Sequence, residues 1–148
     1  MECEKMYESY ISEENICFSR HFGPLEGAAG FSAIISSLKS NPCPSQLKAL
    51  CSDYREVTGV TLHSTDRAYG AGLKRKFASL GQQLSFSCVV NILNPENVAA
   101  NELLAERTRR LAIPIFGAET IKDVYSVTDA LKLLGLPADY RIEYPAKN

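Results

Sequence analysis

The hydrophobic pattern in the middle of the chain alternates between a period of two, typical of strands, and a period of three to four, typical of helices. The segment from Leu84 to Leu93 begins with strict alternation and becomes continuously apolar, as in a strand that enters the middle of a sheet. Strands that alternate with helices are typical of a parallel sheet with crossover helices. The predicted elements are a strand at Val57–Leu62, a helix at Asp66–Leu80, a strand at Leu84–Leu93, a helix at Asn94–Arg109 and a strand at Leu111–Phe116.

Short polar motifs mark where these helices begin and end. Asn94-Pro95-Glu96 is a strong helix start, because it combines a capping amide, a proline at the first position and an acid in the first turn. Ser64 or Thr65 can cap the first helix with a hydroxyl oxygen. Gly81 is predicted to end that helix in the left-handed position.

The segment after residue 116 predicts three further short elements. Ile121–Val127 has the pattern of an extended segment. Thr128–Leu134 is predicted to be a short helix that Thr128 caps and Gly135 closes. Tyr140–Tyr144 is a candidate for one final strand.

The first 56 residues carry apolar side chains mostly at helical spacing. Residues 3–22 and 25–38 each fit one face of a helix, and Ser45 can cap a third helix. We therefore predict an α/β protein with a small, mostly parallel sheet and crossover helices over residues 57–148, preceded by an N-terminal helical extension over residues 1–56. The face of the third predicted helix is Leu47, Leu50, Cys51 and Tyr54.

Composition places few further limits on the protein. At 148 residues the chain has the commonest size of a single domain. Hydrophobic residues make up 45% and charged residues 22%, which allows a core of normal size. The formal net charge is −1, so the charge balance gives no indication of DNA binding.

The five cysteines indicate free thiols in a reducing compartment. They lie far apart, none forms a Cys-x-x-Cys pair, and only His21 and His63 are available to complete a zinc site, whose ligands usually come in close pairs. No apolar run reaches the ~20 residues of a membrane span, and the first residues lack the basic and apolar regions of a secretory signal. We expect an intracellular protein, nuclear or cytoplasmic, with no membrane contact, no metal and no cofactor.

Three segments of the chain follow the order of a known module. The first is Val60-Thr-Leu-His-Ser-Thr-Asp-Arg-Ala-Tyr69, followed by a helix that ends in Leu80-Gly81. The second runs from Leu104-Ala-Glu-Arg107 to Ile113-Pro-Ile-Phe-Gly-Ala-Glu119, and the third is Thr128-Asp-Ala-Leu-Lys-Leu-Leu134. Over about residues 57–144 they resemble the anticodon-binding domain of class IIa aminoacyl-tRNA synthetases and its non-catalytic version in a nuclear-receptor coactivator family.

The resemblance implies a fold and a binding role in an RNA- or transcription-associated complex. It does not imply aminoacylation, because no synthetase catalytic motif accompanies these segments. We therefore hypothesise a non-catalytic binding module whose basic helix faces contact RNA or a protein partner. The candidate contact residues are Arg67, Lys74, Arg75 and Lys76 on the first crossover helix, and Arg107, Arg109 and Arg110 on the second.

Arg107 differs from the other candidates because it falls on the apolar face of its helix. A buried charge there would cost several kcal/mol unless it had a carboxylate, a partner or a path to solvent. A structural ion pair is favoured over a ligand contact at this position. For the other basic residues, a merely solvated helix face explains the same pattern.

The loop after the first strand is the alternative site. It follows the carboxyl end of a predicted parallel strand, where open α/β sheets bind ligands and where helix amides can hold a phosphate. A simple helix cap explains the same residues, and no glycine-rich loop precedes the helix. For a small nucleotide- or phosphate-binding enzyme, the ligand residues would be His63, Ser64, Thr65, Asp66, Asn91 and Asn94.

Catalysis has little support in the sequence, and we predict no catalytic residues. Cys88 lies in an apolar strand, where a thiol is inert, and no serine stands in a Gly-x-Ser-x-Gly elbow. A third hypothesis is a structural subunit that forms a homo-oligomer through the predicted N-terminal helices. The apolar side chains available for that contact are Tyr7, Tyr10, Phe18, Phe22 and Phe31.

Overall fold

The computed structural model describes residues 7–26, 47–79 and 86–144, except for the side chains of residues 76–79. These residues contain five strands, namely β1 (Tyr7–Ile11), β2 (Ile16–Glu26), β3 (Ala49–Thr61), β4 (Cys88–Ile92) and β5 (Ile121–Val124). The helices are α1 (Asp66–Ser79), α2 (Val98–Leu111), α3 (Ile113–Phe116) and α4 (Val127–Leu133), with a 3-10 turn at Ala118–Thr120.

The strands form one sheet in the order β1-β2-β3-β4-β5. The first two strands are antiparallel, and every other neighbouring pair is parallel. A mostly parallel sheet with helices between its strands confirms the predicted α/β class.

The central strands are apolar because helices or chain segments cover both faces of the sheet. On one face, Leu50 and Val89 pack with Leu73 of α1 and Leu111 of α2. On the other face, strand residues such as Val90 pack with α4 and with the C-terminal segment. The members of this second cluster are Ile16, Phe18, Ala49, Cys51, Val90, Ile92 and Ala130, with Tyr140, Ile142 and Tyr144 packed against them.

Strands β2 and β3 pair over a longer stretch than β3 and β4 do. Their pairing continues from Pro24 and Leu25 to Gly59 and Val60, past the last β3–β4 pair at Asp53 and Ile92. Side chains of this extension, including Leu25, pack with Leu104 of α2. The extended part of the sheet therefore helps to bury α2.

The predicted N-terminal helix over residues 3–22 is wrong, because residues 7–26 form the antiparallel hairpin β1–β2. Asn15 turns the chain in the left-handed region at φ 63. Ile16, Cys17 and Phe18 are all buried since both faces of β2 are covered, so the alternation that identifies a strand is absent. The helix predicted at residues 25–38 lies outside the described residues from residue 27 onward.

The predicted helix after Ser45 is also wrong within the described residues. Strand β3 begins at Ala49, and Leu50 and Cys51 point to opposite faces of the sheet. The boundary proposed between residues 56 and 57 therefore falls inside a strand. The helices proposed to carry a self-association surface are absent from residues 7–26, where Phe18 is fully buried and stacks with Tyr10.

Two segments after α2 differ from the prediction. Ile113–Phe116 is a helical turn rather than a strand, and Pro114 is tolerated in it because the first turn of a helix leaves its N–H groups without partners. Tyr140–Tyr144 does not join the sheet but packs against it. Ile113–Phe116 is a short apolar run, and such runs fit a strand and a helical turn equally well, whereas Tyr140–Tyr144 alternates apolar and charged residues as a strand does but has no strand partner among the described residues.

The remaining predictions are close to the observed elements. Helices α1, α2 and α4 and strands β4 and β5 are present, although β4 and α2 begin later than predicted. Asn97 rather than Asn94 caps α2, and Ser126 rather than Thr128 caps α4. Gly135 has the predicted left-handed conformation, with φ 71. Gly81 lies outside the described residues.

Candidate functional site

The loop after β3 and the end of α2 meet at one place on the surface. The Asp66 carboxylate accepts a hydrogen bond of 2.9 Å from the backbone N–H of His63. Arg110 donates to the His63 carbonyl at 3.2 Å and lies 3.9 Å from the Asp66 carboxylate. These contacts fix the start of α1 against the last turn of α2, so two groups of residues predicted separately are neighbours.

Glu106 organises the arginines at this junction. Its carboxylate forms ion pairs with Arg67 of α1 at 3.4 Å, with Arg109 at 2.6 Å and with Arg110 at 3.0 Å. Hydrogen bonds from Arg109 and Arg110 lower the pKa of Glu106. One carboxylate therefore holds three guanidinium groups, and we call these four residues the Glu106 cluster.

The cluster leaves two of its guanidinium groups largely open to solvent. The Arg67 side chain is 76% exposed and that of Arg109 is 61% exposed, whereas that of Arg110 is 23% exposed. Lys74 and Arg75 are exposed further along α1. Lys76 lies in α1, but its side chain is not among those described. The structure thus gathers most of the predicted basic residues on adjacent helices.

Arg107 points away from this surface. It is 3% exposed and packs between α2 and the sheet, where it donates to the Tyr54 hydroxyl at 3.5 Å. The sequence favours a structural ion pair at this position, and the structure shows a buried guanidinium group that donates a hydrogen bond to a phenol. A macromolecule at the surface does not reach Arg107.

The alternative ligand residues fall into two groups with different partners. Asn91 is buried and donates to Asp123 at 3.1 Å, and Asn94 accepts from the N–H of Glu96 at 3.0 Å. Both therefore stabilise the chain around the carboxyl end of β4. At the start of α1, the Asp66 carboxylate already occupies the His63 N–H, so a phosphate there would meet a like charge.

Three buried polar side chains under α2, those of Ser19, His21 and Ser52, were not predicted from the sequence. His21 is 1% exposed and stacks on Tyr54 with ring centroids 4.8 Å apart. Its Nε2 lies 3.4 Å from the Ser19 hydroxyl, which donates to the Ser52 hydroxyl at 3.1 Å. The signal was the alternation of polar residues at 19 and 21, which has meaning only once the segment is assigned to a strand.

Burial fixes the charge state of this histidine. Desolvation, together with the nearby Arg107 guanidinium, lowers the pKa of His21 to about 3, although Asp53 opposes the shift. The imidazole is therefore neutral at physiological pH.

A cavity of about 260 Å³ lies where β2 and β3 lose their regular register. Two ion pairs stand around it. Arg20 donates to Glu8 at 2.7 Å, and Arg55 forms a bidentate pair with Asp53 at 3.0 and 2.8 Å. The lining residues are Arg20, His21, Asp53, Arg55 and Glu56.

Comparison with known proteins adds no assignment. No protein-family model, no curated protein and no solved structure matches this chain. Within residues 7–26, 47–79 and 86–144, no group of three or more acidic, histidine or cysteine side chains is arranged to hold a metal ion. In the same part of the chain, no helix combines the length and the apolar composition that a membrane crossing requires.

Proposed function

We propose that the protein is a non-catalytic binding module that holds an acidic segment of a protein partner on the adjacent faces of α1 and α2. The observation that carries this proposal is the Glu106 cluster, in which one carboxylate orients three arginines from two helices. Arginines held in this way lose less conformational freedom on binding than isolated ones do. Arginine is also enriched at protein–protein interfaces.

An apolar side chain lies beside the cluster. Leu103 is 38% exposed and precedes Glu106 by three residues on α2, so the two share a face of the helix. A protein segment that combines carboxylates with an apolar side chain can use both features. A phosphate backbone uses only the charges.

The charge of the whole chain also favours a protein partner over RNA. RNA-binding domains usually carry a strongly basic surface, whereas this chain has a net charge of −1. Glu106 further reduces the positive potential at the arginines that would meet a phosphate. RNA is therefore the alternative ligand of this surface, and an experiment must distinguish it from a protein segment.

The proposal is tested by fluorescence anisotropy with two labelled probes, a peptide rich in Asp, Glu and Leu and a single-stranded RNA of the same net charge. The double variant Arg67→Glu/Arg109→Glu is expected to weaken peptide binding at least about tenfold, because it places two carboxylates where two guanidinium groups stood. Titrations at about 50 mM and 200 mM salt measure how many charges contribute.

A matched control variant reverses the same number of charges elsewhere. Lys132 on α4 and Arg141 in the C-terminal segment are both exposed, so Lys132→Glu/Arg141→Glu keeps the net charge of the test variant. Equal losses in the two double variants would show that only net charge matters, which contradicts the proposal. Tighter binding of the RNA, with the steeper salt dependence, would identify a nucleic-acid surface instead.

A further inference from the structure

Strand β3 continues well beyond the end of β4. Its last pair with β4 joins Asp53 to Ile92, whereas its pairing with β2 continues to Thr61. Among the residues that the structure describes, no strand lies beside residues 54–61 on the side where β4 ends. The backbone N–H of Arg55 donates to the carboxylate of Asp53 in its own strand at 3.0 Å. Over this stretch β3 therefore has one edge without a strand partner, which we call the free edge of β3.

The sequence of the free edge is suited to pairing with another strand. Val57-Thr-Gly-Val-Thr61 contains four β-branched residues and neither a charge nor a proline. The edge strand β5, by contrast, is four residues long and exposes Lys122 and Asp123, and short length and charge both discourage pairing. A Cβ atom at Gly59 would meet no atom within 4 Å, so open space lies beside the backbone there. Glycine at such a position lets another backbone approach closely.

The free edge ends beside the Glu106 cluster. Soon after the last residue of β3, the carbonyl of His63 accepts a hydrogen bond of 3.2 Å from Arg110, a member of that cluster. Along the edge itself, Val57 packs in the same apolar group as Leu104 of α2. Leu104 follows the exposed Leu103 and precedes Glu106 on the same helix. Helix α2 therefore connects the free edge to the cluster.

The charges beside the free edge favour an acidic segment. The side chains of Arg67 and Arg109 are largely exposed, and both guanidinium groups are held by the same carboxylate. A strand that joins the edge of a sheet presents alternate side chains to each face. One row of its side chains can therefore carry carboxylates toward the arginines while its backbone bonds to β3.

We propose that the acidic segment of the partner protein binds in an extended conformation, as an additional strand on the free edge of β3, with its carboxylates directed to Arg67 and Arg109. This mode of binding rests on the function proposed above and specifies the conformation of the partner. Backbone hydrogen bonds to β3 supply affinity, and the two arginines select acidic segments. At ~3.3 Å for each residue, the edge from residue 55 to residue 61 accommodates roughly seven residues of the partner.

The test uses the full chain and a labelled peptide of about ten residues with glutamate at alternate positions, so that a slip by one residue would turn its acidic face away from the arginines. Two further forms of the peptide carry N-methyl groups, one on the odd-numbered amides and the other on the even-numbered amides. Only alternate residues of an added strand direct their N–H groups to the edge, so the affinities of the two forms should differ at least about tenfold. Equal affinities of the two forms would overturn the proposal.

The variant Arg67→Glu/Arg109→Glu separates the strand pairing from the proposed function. If this variant weakens binding of the unmodified peptide but the two methylated forms bind equally, the surface holds the segment without strand pairing, and only the pairing is refuted. If the methylated forms differ but the variant binds normally, the edge accepts a strand without the arginines, which refutes the proposed function and the acidic preference. The absence of binding by the unmodified peptide refutes both.

Amide hydrogen exchange gives a second readout, on the protein itself. At saturation the unmodified peptide should slow exchange at least about tenfold at those amides of residues 55–61 that do not bond to β2, because an added strand protects them. The amides of β5, at the outer edge of the sheet, are the control and should not change. Unaltered exchange at residues 55–61 would overturn the proposal. Protection that instead rises with protein concentration, without peptide, would identify a second copy of the chain as the occupant and would also overturn it.

Discussion

Polar side chains that are removed from water decide much of the chemistry of this protein at the residue scale. Ser19, His21 and Ser52 are all at most 2% exposed and are linked by hydrogen bonds across β2 and β3. Polar groups in such positions are stable only when they are neutral or well bonded. His21 satisfies this condition by staying neutral, and the condition makes stability depend on pH.

We predict that the free energy of unfolding falls by about 2 kcal/mol between pH 7 and pH 5 through His21 alone. The pKa of His21 is about 3 in the folded state and near 6.5 in the unfolded chain. Below pH 6.5 the unfolded state therefore binds a proton that the folded state does not bind. The free energy of unfolding decreases as the pH falls toward 3. Urea denaturation at the two pH values measures the difference.

His21→Phe serves as the control for this pH dependence, because a phenyl ring keeps the stacking on Tyr54 and cannot be protonated. The loss of stability between pH 7 and pH 5 should be smaller in this variant by about the same 2 kcal/mol. An identical pH dependence in both proteins would mean that other groups cause the effect.

The buried cysteines lead to a second prediction at the residue scale. Burial raises the pKa of Cys17 and of Cys51 to about 12, and it raises the pKa of the partly exposed Cys88. Because the thiolate is the reactive form, Cys17 and Cys51 should resist iodoacetamide in the folded protein at pH 8, and Cys88 should react faster than either.

Peptide mapping by mass spectrometry after timed alkylation gives the rate at each of the three positions. In urea the three rates should become similar, since unfolding restores the ordinary pKa of each thiol. A Cys51 that reacts as fast in the native protein as in urea would show that β3 is open at this position.

At the scale of elements, the contact between α1 and α2 depends on one glycine. A Cβ atom at Gly70 would overlap the backbone carbonyl oxygen of Arg110. Gly72, one half-turn further along α1, has open space around the same position. The two glycines look alike in the sequence, and only the packing of the helices distinguishes them.

We predict opposite effects for alanine at these two positions. Gly70→Ala should reduce the free energy of unfolding by about 1–3 kcal/mol, because the helices must separate to admit the methyl group. Gly72→Ala should increase it by about 0.5–1 kcal/mol, because alanine favours the helical state at an uncrowded site. Thermal or urea denaturation compares the two variants, and equal effects would exclude close packing at Gly70.

The elements also show where sequence patterns succeed and where they fail. Helices α1 and α2 are predictable because their apolar residues repeat at three and four positions. Strand β2 and the first half of β3 are not, because both faces are buried there and the alternation of polar and apolar residues is lost, whereas the strand predicted at Val57–Leu62 is the second half of β3. The partners that reveal them, such as Phe18 with Cys51, are more than thirty residues apart in sequence.

At the scale of the whole molecule, the sheet carries an apolar layer on each face. Leu111 of α2 belongs to one layer and is 1% exposed, and Ile92 of β4 belongs to the other and is also 1% exposed. The fold therefore needs both layers, since either face of the sheet would expose buried strand residues without its cover.

We predict that Leu111→Ala and Ile92→Ala each reduce the free energy of unfolding by about 2–5 kcal/mol, because each leaves a cavity in a packed layer. Leu133→Ala is the matched control, since Leu133 is 45% exposed on α4, and it should cost less than about 1 kcal/mol. Urea denaturation gives the three values. If the alanine variant at one buried position loses no more free energy of unfolding than Leu133→Ala does, the layer on that face does not contribute to the core.

The candidate sites also combine features that a local sequence pattern predicts with features that only tertiary contacts create. The basic residues of α1 and α2 were identified from the sequence, because charged positions on a helix face are a local pattern. Their assembly around Glu106 could not be predicted from the sequence, since Arg67 and Glu106 are 39 residues apart and meet only when the helices pack. The sequence does not predict the cavity at the β2–β3 bulge, because the local pattern of the segment containing His21 favours a helix.

The sequence by itself determined α1, β4, α2 and α4, the left-handed end at Gly135 and the inward face of Arg107, because hydrophobic spacing and capping residues act over a few neighbouring positions. Only the tertiary structure decided that residues 7–26 form strands, that Ile113–Phe116 is a helical turn and that His21 reaches a cavity. Each of these features depends on pairing or burial between distant segments, and local propensity is too weak to specify such contacts.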